Sequence, residues 1–320
     1  MATKIVFVTP FPDSAALASQ MSPPGFELVV LPPGSSEFDG EIANAEYLVG
    51  FVSGLVQTTL FESAPKLKLV QMLSAGYDNA DIEAALISGV PVSNNGGANS
   101  VAVSEHAIML MLAVSRKLPW QHASVRAGQW TGNDTPRVFE LRGKTVGIVG
   151  LGAIGKKVSR LVNAFGTQVM YYDIERLTED QEDNLDVKFR LLDELLETAD
   201  IVTLHVPLNE STRHLINADR LKRMKESAIL INTSRGPVVD EKALHESLAK
   251  HQILGAGLDV FDAEPPLTDN PLFTLDNVVL TPHLAGPTFE SHTARVRNGF
   301  DNVQRVARGE QPLWVIPELG

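Results

Sequence analysis

Three closely spaced glycines form the strongest local motif of this sequence. Gly150, Gly152 and Gly155 follow the apolar run 145–149 and begin an amphipathic helix pattern. A G-x-G-x-x-G spacing in that context is typical of a strand–turn–helix unit that binds a dinucleotide. The first glycine permits the tight turn, the second lets a pyrophosphate approach the backbone, and the third allows close helix–strand packing. The start of the helix supplies free N–H groups and partial positive charge for the phosphates. The alternative is a glycine-rich turn in an α/β domain without a cofactor.

An acidic residue stands at the end of the next apolar run. Asp173 follows the run 168–172, where a carboxylate is expected to accept hydrogen bonds from the adenosine ribose hydroxyls. A carboxylate there repels a 2′-phosphate, and Glu175 adds negative charge, so NAD is favoured over NADP. Arg176 argues in the opposite direction, because a nearby arginine can accommodate that phosphate. Taken alone, Asp173 also fits an ordinary solvated acid.

Five further segments resemble the D-isomer-specific 2-hydroxyacid dehydrogenases. They are SAGYDN at 74–79, HVPL at 205–208 continuing to LIN at 215–217, NTSRGPVVD at 232–240, LDVFDAEPP at 258–266 and TPHLAG at 281–286. The resemblance covers nearly the whole chain, and its several motifs are more specific than the glycine spacing. It implies hydride transfer between NAD(H) and a small 2-hydroxy or 2-oxo acid. It also implies a D preference and a substrate similar to glyoxylate or hydroxypyruvate.

The resemblance implies catalytic roles for Arg235, Glu264 and His283, and the chemistry of each side chain supports its role. The planar guanidinium of Arg235 can grip the carboxylate and the adjacent carbonyl oxygen of a 2-oxo acid. The imidazole of His283 can give a proton to the alkoxide or take it back in reverse. The carboxylate of Glu264 can orient that ring and favour its protonated form. Family members that oxidise formate carry glutamine at the position of Glu264, so that branch is disfavoured. The alternatives are a turn arginine, a structural histidine and a solvated acid.

Contacts of lower specificity complete the expected site. The residues expected to contact the cofactor are Gly150, Gly152, Ala153, Ile154, Gly155, Asp173, His205, Val206, Pro207, Thr212, Thr233, Ser234, Asp259 and Gly286. The residues expected to contact the substrate are Ser53, Gly54, Ser74, Ala75 and Gly76, together with Arg235 and His283. His106 and His122 have no such context and are interpreted as a helix-end residue and a surface residue. No compact metal-ligand spacing is present, so no metal site is expected.

Composition excludes several other classes of protein. The 320 residues carry a net charge of −12 and include 44% hydrophobic residues but no cysteine. Disulfides, thiolate metal sites and a cysteine nucleophile are therefore excluded. The acidic balance does not suggest binding to nucleic acid or to anionic lipid. No apolar run approaches the length of a membrane span, and no signal peptide is recognised, so we expect a soluble, cytoplasmic protein.

Two series of short apolar runs, separated by helical patterns, must position these residues. The series at 5–9, 28–31, 47–51, 69–73 and 90–93 precedes a helix predicted over 101–118, and a second series starts at 145. Such alternation predicts parallel sheets covered by helices. We expect two doubly wound α/β domains, with a Rossmann NAD-binding domain (100–289) inserted into a flavodoxin-like substrate domain (1–99 plus 290–320). The apolar tail 313–316 is expected to return to the substrate domain.

Charge and apolarity also suggest the partners. Residues 1–100 contain no arginine and only three lysines, which favours a small monoanionic acid over a phosphorylated one. The apolar helix over 101–118 and the segment around Trp130 are similar to the family's dimer region, so a homodimer is expected. Two alternatives stay open. One is an NAD(H)-sensing corepressor-like protein of the same fold, and the other is a related dehydrogenase acting on 3-phosphoglycerate or phosphite.

Overall fold

The computed structural model describes residues 3–319. The chain forms two compact units, Met1–Asn99 with Pro287–Gly320 and Ser100–Gly286. The first unit is therefore discontinuous in sequence. The predicted α/β architecture with two parallel sheets is confirmed.

The first unit contains a five-stranded parallel sheet in the order β2-β1-β3-β4-β5. Its elements are β1 (Thr3–Val8), α1 (Pro12–Met21), β2 (Phe26–Leu31), α2 (Phe38–Ile42), β3 (Tyr47–Gly50), α3 (Thr58–Ser63), β4 (Leu69–Met72), α4 (Ile82–Ser88) and β5 (Val92–Ser93). This strand order is the flavodoxin-like one. The central strands are buried because helices cover both faces, which explains their continuous apolar sequences.

The C-terminal segment returns to this unit. The last long helix begins after a capping box formed by Thr288 and Ser291, and it buries Val296, Phe300 and Val303 in the same core as Phe7. Beyond this helix, the N–H of Ile316 donates to the carbonyl of Val92, at 3.0 Å. The predicted return of the tail is therefore observed.

The second unit contains a seven-stranded parallel sheet in the order β12-β11-β10-β9-β6-β7-β8. The remaining elements of the chain are α5 (Ser100–Ser115), α6 (Leu118–Arg126), β6 (Thr145–Val149), α7 (Gly155–Ala164), β7 (Gln168–Tyr172), α8 (Glu179–Leu185), β8 (Lys188–Phe189), α9 (Leu192–Thr198), β9 (Ile201–Leu204), α10 (Ala218–Arg223), β10 (Ile229–Asn232), α11 (Glu241–Ala249), β11 (Gly255–Leu258), β12 (Val278–Leu280) and, in the first unit, α12 (Phe289–Ala307). The six neighbouring strands from β8 to β11 follow the Rossmann order, and β12 adds a seventh strand at the edge.

The helix predicted over 101–118 is wrong at its end. α5 ends at Ser115, Lys117 has a left-handed φ of 51°, and a second helix starts at Leu118. Pro119 lies in the first turn of that second helix, where its missing N–H costs nothing. Much of the apolar surface of α5 is covered by its own unit, since Ala107, Leu110 and Met111 are fully buried in the core that contains Val146 and Ile148 of β6.

Candidate active site

The glycine-rich turn lies between β6 and α7, and each glycine has a different structural reason. A Cβ at Gly150 would lie 2.7 Å from the carbonyl oxygen of His205, and a Cβ at Gly155 would lie 2.2 Å from that of Gly150. A Cβ at Gly152 would meet no protein atom within 4 Å. Protein packing therefore explains two of the glycines, whereas the third leaves open space beside the backbone. That open space fits the close approach of a pyrophosphate.

The backbone around Gly152 also offers hydrogen-bond donors. Among residues 3–319, no acceptor is found for the N–H groups of Gly152, Ala153 and Ile154, which lie before the first turn of α7. The N–H of Leu151 differs, because it donates to Oδ2 of Asp173 at 2.6 Å. These features fit a dinucleotide whose phosphates lie at the helix start.

Asp173 stands directly after β7, at the carboxyl end of the sheet, as predicted. Arg176, which could have received a 2′-phosphate, is held by Glu182 through Nε at 2.9 Å and Nη2 at 3.2 Å. Its guanidinium also lies 5.4 Å from the centroid of the Phe189 ring. The hydrogen bond from Arg176 lowers the pKa of Glu182, so the pair is charged. Arg176 is therefore occupied within the chain, which agrees with a preference for NAD.

His205 follows β9 beside the glycine turn. Its Nε2 lies 3.0 Å from Oγ1 of Thr203, while Nδ1 is buried and has no hydrogen-bond partner among the described residues. Burial lowers the pKa of His205 to about 3, so the ring is neutral. A buried ring nitrogen with no protein partner leaves a polar position for a ligand.

Arg235 ends the segment that follows β10 and precedes a 3-10 turn, Gly236–Val238. The Nη1 of Arg235 donates to the carbonyl oxygen of Ser234 at 2.8 Å. The side-chain amide of Asn232 donates to the carbonyl oxygen of Arg235 at 2.9 Å. Gly236 leaves no room for a side chain, because a Cβ there would lie 1.9 Å from the carbonyl oxygen of Phe261. This close approach brings the Arg235 segment against the segment that carries Glu264.

His283 and Glu264 form a direct pair, although they are distant in sequence. Nδ1 of His283 lies 2.5 Å from Oε2 of Glu264, and the other carboxylate oxygen accepts the N–H of Phe261 at 3.0 Å. Burial raises the pKa of Glu264, but the hydrogen bond from His283, the N–H of Phe261 and the positive charge of Arg235 together lower it below its ordinary value. The three predicted catalytic residues therefore lie in one cluster, in which the carboxylate is ionised.

Asp259, at the end of β11, supports the turn that carries His283. Its Oδ1 accepts from the hydroxyl of Thr281 at 2.6 Å and from the N–H of Leu284 at 2.9 Å, while Oδ2 accepts from the N–H of Ala285 at 2.9 Å. Burial raises the pKa of Asp259, but these hydrogen bonds and one from His106 outweigh burial and lower it. The predicted contact of Asp259 with the cofactor stays a prediction, and Oδ2 keeps acceptor capacity for it.

His106 is the residue that the sequence interpretation missed. It lies inside α5, not at a helix end, and its Nε2 is 3.0 Å from Oγ1 of Thr281. A single histidine in an apolar helical pattern carries no signal of such a contact, because its partner is 175 positions further along the chain. His122 is exposed on α6, as expected of a surface residue.

The other predicted contacts of this unit lie at the same carboxyl edge of the sheet. Thr233 and Ser234 follow β10 and are buried, and Oγ1 of Thr233 has no hydrogen-bond partner among the described residues. Val206, Pro207 and Thr212 follow β9, and the hydroxyl of Thr212 donates to the carbonyl oxygen of Pro207 at 2.6 Å. Gly286 is the last residue of the unit. Their roles toward a cofactor stay predictions.

The predicted substrate residues of the first unit lie at the carboxyl ends of its central strands. Ser53 and Gly54 form a 3-10 turn after β3. After β4, the hydroxyl of Ser74 donates to the carbonyl oxygen of Gly76 at 2.9 Å, and the amide of Asn94 donates to that of Ala75 at 3.4 Å. Open α/β sheets bind ligands at such strand ends.

Two further features concern residues 3–319: a metal site and a membrane-spanning helix. No group of three or more His, Asp or Glu side chains is arranged to hold a metal ion within that range. No helix in the described part of the chain combines the length and the apolarity needed to cross a membrane.

Comparison with known proteins decides the family. Residues 108–285 match the profile described as "D-isomer specific 2-hydroxyacid dehydrogenase, NAD binding domain", which is more than half of the chain. The chain belongs to this family. It is an NAD-dependent oxidoreductase of 2-hydroxy acids, and the predicted cofactor, NAD(H), is confirmed.

Individual relatives agree with this membership. A glyoxylate reductase of Korarchaeum cryptofilum is 40% identical over 284 residues, covering 88% of this chain and 85% of the relative. A D-3-phosphoglycerate dehydrogenase of Methanocaldococcus jannaschii is also 40% identical, over 273 residues, but only 51% of its length is matched. Among solved structures, a D-lactate dehydrogenase with NAD⁺ from Lactobacillus jensenii has a TM-score of 0.84 at 27% identity, covering 98% of this chain and 99% of that one.

Proposed function

We propose that this enzyme interconverts a small monoanionic 2-oxo acid, such as glyoxylate or hydroxypyruvate, and the corresponding D-2-hydroxy acid. The observation that carries the proposal is the pair of His283 and Glu264, 2.5 Å apart, with the charge of Arg235 acting on the same carboxylate. An acid–base group, its orienting carboxylate and a carboxylate-binding cation are the groups that reduction of a 2-oxo acid needs.

Each of the three side chains has a separate task in this proposal. Bound NADH supplies the hydride for the carbonyl carbon. Arg235 binds the substrate carboxylate and fixes the orientation of the carbonyl group. His283 gives its Nε2 proton to the carbonyl oxygen as the alcohol forms, and takes it back in the reverse direction. Glu264 accepts the Nδ1–H, which keeps the ring oriented and stabilises the imidazolium.

Charge in the first unit supports a substrate with a single negative charge. The three lysines of residues 1–100 all contact side chains of their own unit. Lys4 pairs with Glu27 and Glu41 at 3.0 and 2.7 Å, and Lys68 pairs with Glu46 at 2.5 Å. Lys66 donates to the amide oxygen of Asn44 at 2.9 Å. Arg295 of α12 is buried with its guanidinium 5.5 Å from the centroid of the Phe51 ring.

A panel of 2-oxo acids with NADH and NADPH tests the proposal. We expect turnover of glyoxylate or hydroxypyruvate with NADH, and much weaker turnover of phosphorylated acids. Arg235→Ala is expected to raise KM for the acid and lower kcat, while His283→Ala is expected to lose turnover but keep NADH binding. Arg160→Ala, a change of an exposed arginine on α7, serves as the control. NADH binding without turnover of any acid would favour a cofactor-sensing protein instead.

We also propose that two copies of the chain form a homodimer through α5, α6 and the segment after them. Large apolar side chains are unusually exposed there, namely Val101, Met109, Leu118, Trp120, Val125, Trp130 and Val138. Trp130 is 81% exposed, and a set of this size normally marks a surface that another protein covers. A second copy is the partner that the family resemblance supports.

A further inference from the structure

His106 connects the helix by which the chain enters the second unit to the loop by which it leaves. The unit begins at Ser100, the first residue of α5, and ends at Gly286. The side chain of His106 is 14% exposed, and its Nε2 lies 3.0 Å from Oγ1 of Thr281 and 3.4 Å from Oδ1 of Asp259. The ring is thus held between two polar groups that precede His283 in the chain.

The direction of these hydrogen bonds follows from the available protons. Thr281 has one hydroxyl proton, and it donates that proton to Oδ1 of Asp259 at 2.6 Å. Toward His106 the threonine oxygen can therefore only accept, so Nε2 of His106 carries a proton. The chain of donors runs from His106 to Thr281 and then to Asp259.

Asp259, held by Thr281 and His106, in turn holds the backbone around His283. Its carboxylate accepts the N–H groups of Leu284 and Ala285, and its backbone oxygen accepts the N–H of His283 at 2.9 Å. His283 has a left-handed φ of 54°, which is uncommon for a residue other than glycine. Such a conformation persists only where surrounding contacts hold it, and here the contacts come from Asp259.

We propose that His106 is a positioning residue for the reaction, which acts by fixing Thr281 and Asp259 and through them the orientation of the His283 ring. This inference rests on the proposed function, because it assumes that His283 transfers the proton. Misplacing a catalytic group by about 1 Å can cost about a hundredfold in rate. Loss of the His106 hydrogen bond therefore acts on kcat more than on NADH binding, because the glycine turn that fits NADH is untouched and Asp259 keeps the hydrogen bonds from the N–H groups of Leu284 and Ala285.

The test compares His106→Ala, His106→Gln and His106→Phe with a matched histidine change outside the site and outside the proposed dimer surface, His245→Ala on α11, by steady-state kinetics with glyoxylate and NADH. Glutamine places an amide N–H close to the position of Nε2, whereas phenylalanine keeps the ring volume without the donor. We expect the Ala and Phe variants to lose about tenfold or more in kcat, with KM for NADH within about twofold of the wild type. His106→Gln is expected to restore most of kcat, and His245→Ala to match the wild type.

The outcomes separate this inference from the proposed function. If the wild type does not reduce any 2-oxo acid, the proposed function fails. If the wild type is active and His106→Phe or His106→Ala keeps its kcat, the positioning role is overturned. Should His106→Ala not fold, the comparison of Gln with Phe decides, because equal kcat values for these two would also overturn the role. NADH binding by fluorescence shows that each variant is folded.

Discussion

Arg176 and Glu182 show how a neighbouring side chain can set cofactor preference. Arg176 stands three residues after Asp173, close enough in sequence to meet a 2′-phosphate, but both of its hydrogen-bonding nitrogens contact Glu182. Glu182 is itself fixed by the hydroxyl of Tyr171, which donates at 2.8 Å. The carboxylate therefore withholds the arginine from an incoming phosphate.

Neutralising that carboxylate should relax the preference. Glu182→Gln keeps the size of the side chain but removes the ion pair, so we expect kcat/KM with NADPH relative to NADH to rise about three- to tenfold. Adding Arg176→Ala to the same variant should abolish the gain. An unchanged NADPH to NADH ratio in Glu182→Gln would show that Arg176 is not the residue being withheld.

His205 gives a pH dependence of stability. Its folded-state pKa of about 3 lies below the ordinary value of 6.5, so between these values the unfolded chain binds a proton that the folded chain does not. The free energy of unfolding should therefore fall as the pH decreases from 6.5 toward 3, by up to about 1.4 kcal/mol per pH unit from this group. Above pH 6.5 the contribution of this residue is constant.

Urea denaturation between pH 4.5 and 7.5 measures that dependence. His205→Gln, which has no titrating group, should show a shallower loss of stability in the acid range than the wild type. Parallel curves for the two proteins would mean that the ring is protonated in the folded state as well.

At the scale of elements, two glycines of the turn from β6 to α7 differ in what a side chain would meet, which is protein at Gly155 and a bound ligand at Gly152. Gly155→Ala should destabilise the unit by about 1–3 kcal/mol, because its Cβ would overlap the carbonyl oxygen of Gly150. Gly152→Ala should leave the melting temperature unchanged but weaken NADH binding by about tenfold or more, since only a close ligand would meet its Cβ. Equal NADH affinity in Gly152→Ala and the wild type would contradict this separation.

The elements that the sequence predicted well are those whose signal is local. The apolar runs of β1, β3, β4 and β6 identify largely buried strands, because parallel strands under two helix layers need continuous apolar sequence. β8 was missed, since two residues, Lys188 and Phe189, are too short for any periodicity. The end of the helix predicted over 101–118 is wrong because Pro119 stands in the first turn of a new helix, a position that proline fits well.

The residues of the site also differ in whether their sequence signal is local. Gly150, Arg235 and His283 stand in motifs that can be read along the chain. In the structure His283 contacts Glu264, and the positive charge of Arg235 helps to lower the pKa of that carboxyl group. The role of His106 could not be predicted, because its partner Thr281 becomes a neighbour only when α5 packs on the sheet. Contacts of this kind require the fold as well as the sequence.

At the scale of the whole molecule, the proposed dimer makes a prediction that depends on the apolar surface of the second unit. Val125 and Trp130 are 61% and 81% exposed, so a charge there should cost the isolated chain little but should disrupt burial against a second copy. We expect Val125→Asp with Trp130→Asp to sediment as a monomer where the wild type sediments as a dimer. Ile87→Asp, which changes an 80% exposed residue on α4, should leave the oligomeric state unchanged. A wild type that is monomeric at micromolar concentration would refute the dimer.

The return of the tail to β5 has a consequence for how copies of this chain avoid one another. β5 is the outermost strand of its sheet, and Val315 forms an antiparallel bridge with Ser93 while the carbonyl oxygen of Trp314 accepts the N–H of Asn94. An open edge strand is a template on which strands of other molecules can add. By occupying backbone groups of β5, the tail closes this edge of the sheet to strands of other molecules, so residues 314–316 have a role in solubility that is separate from the chemistry.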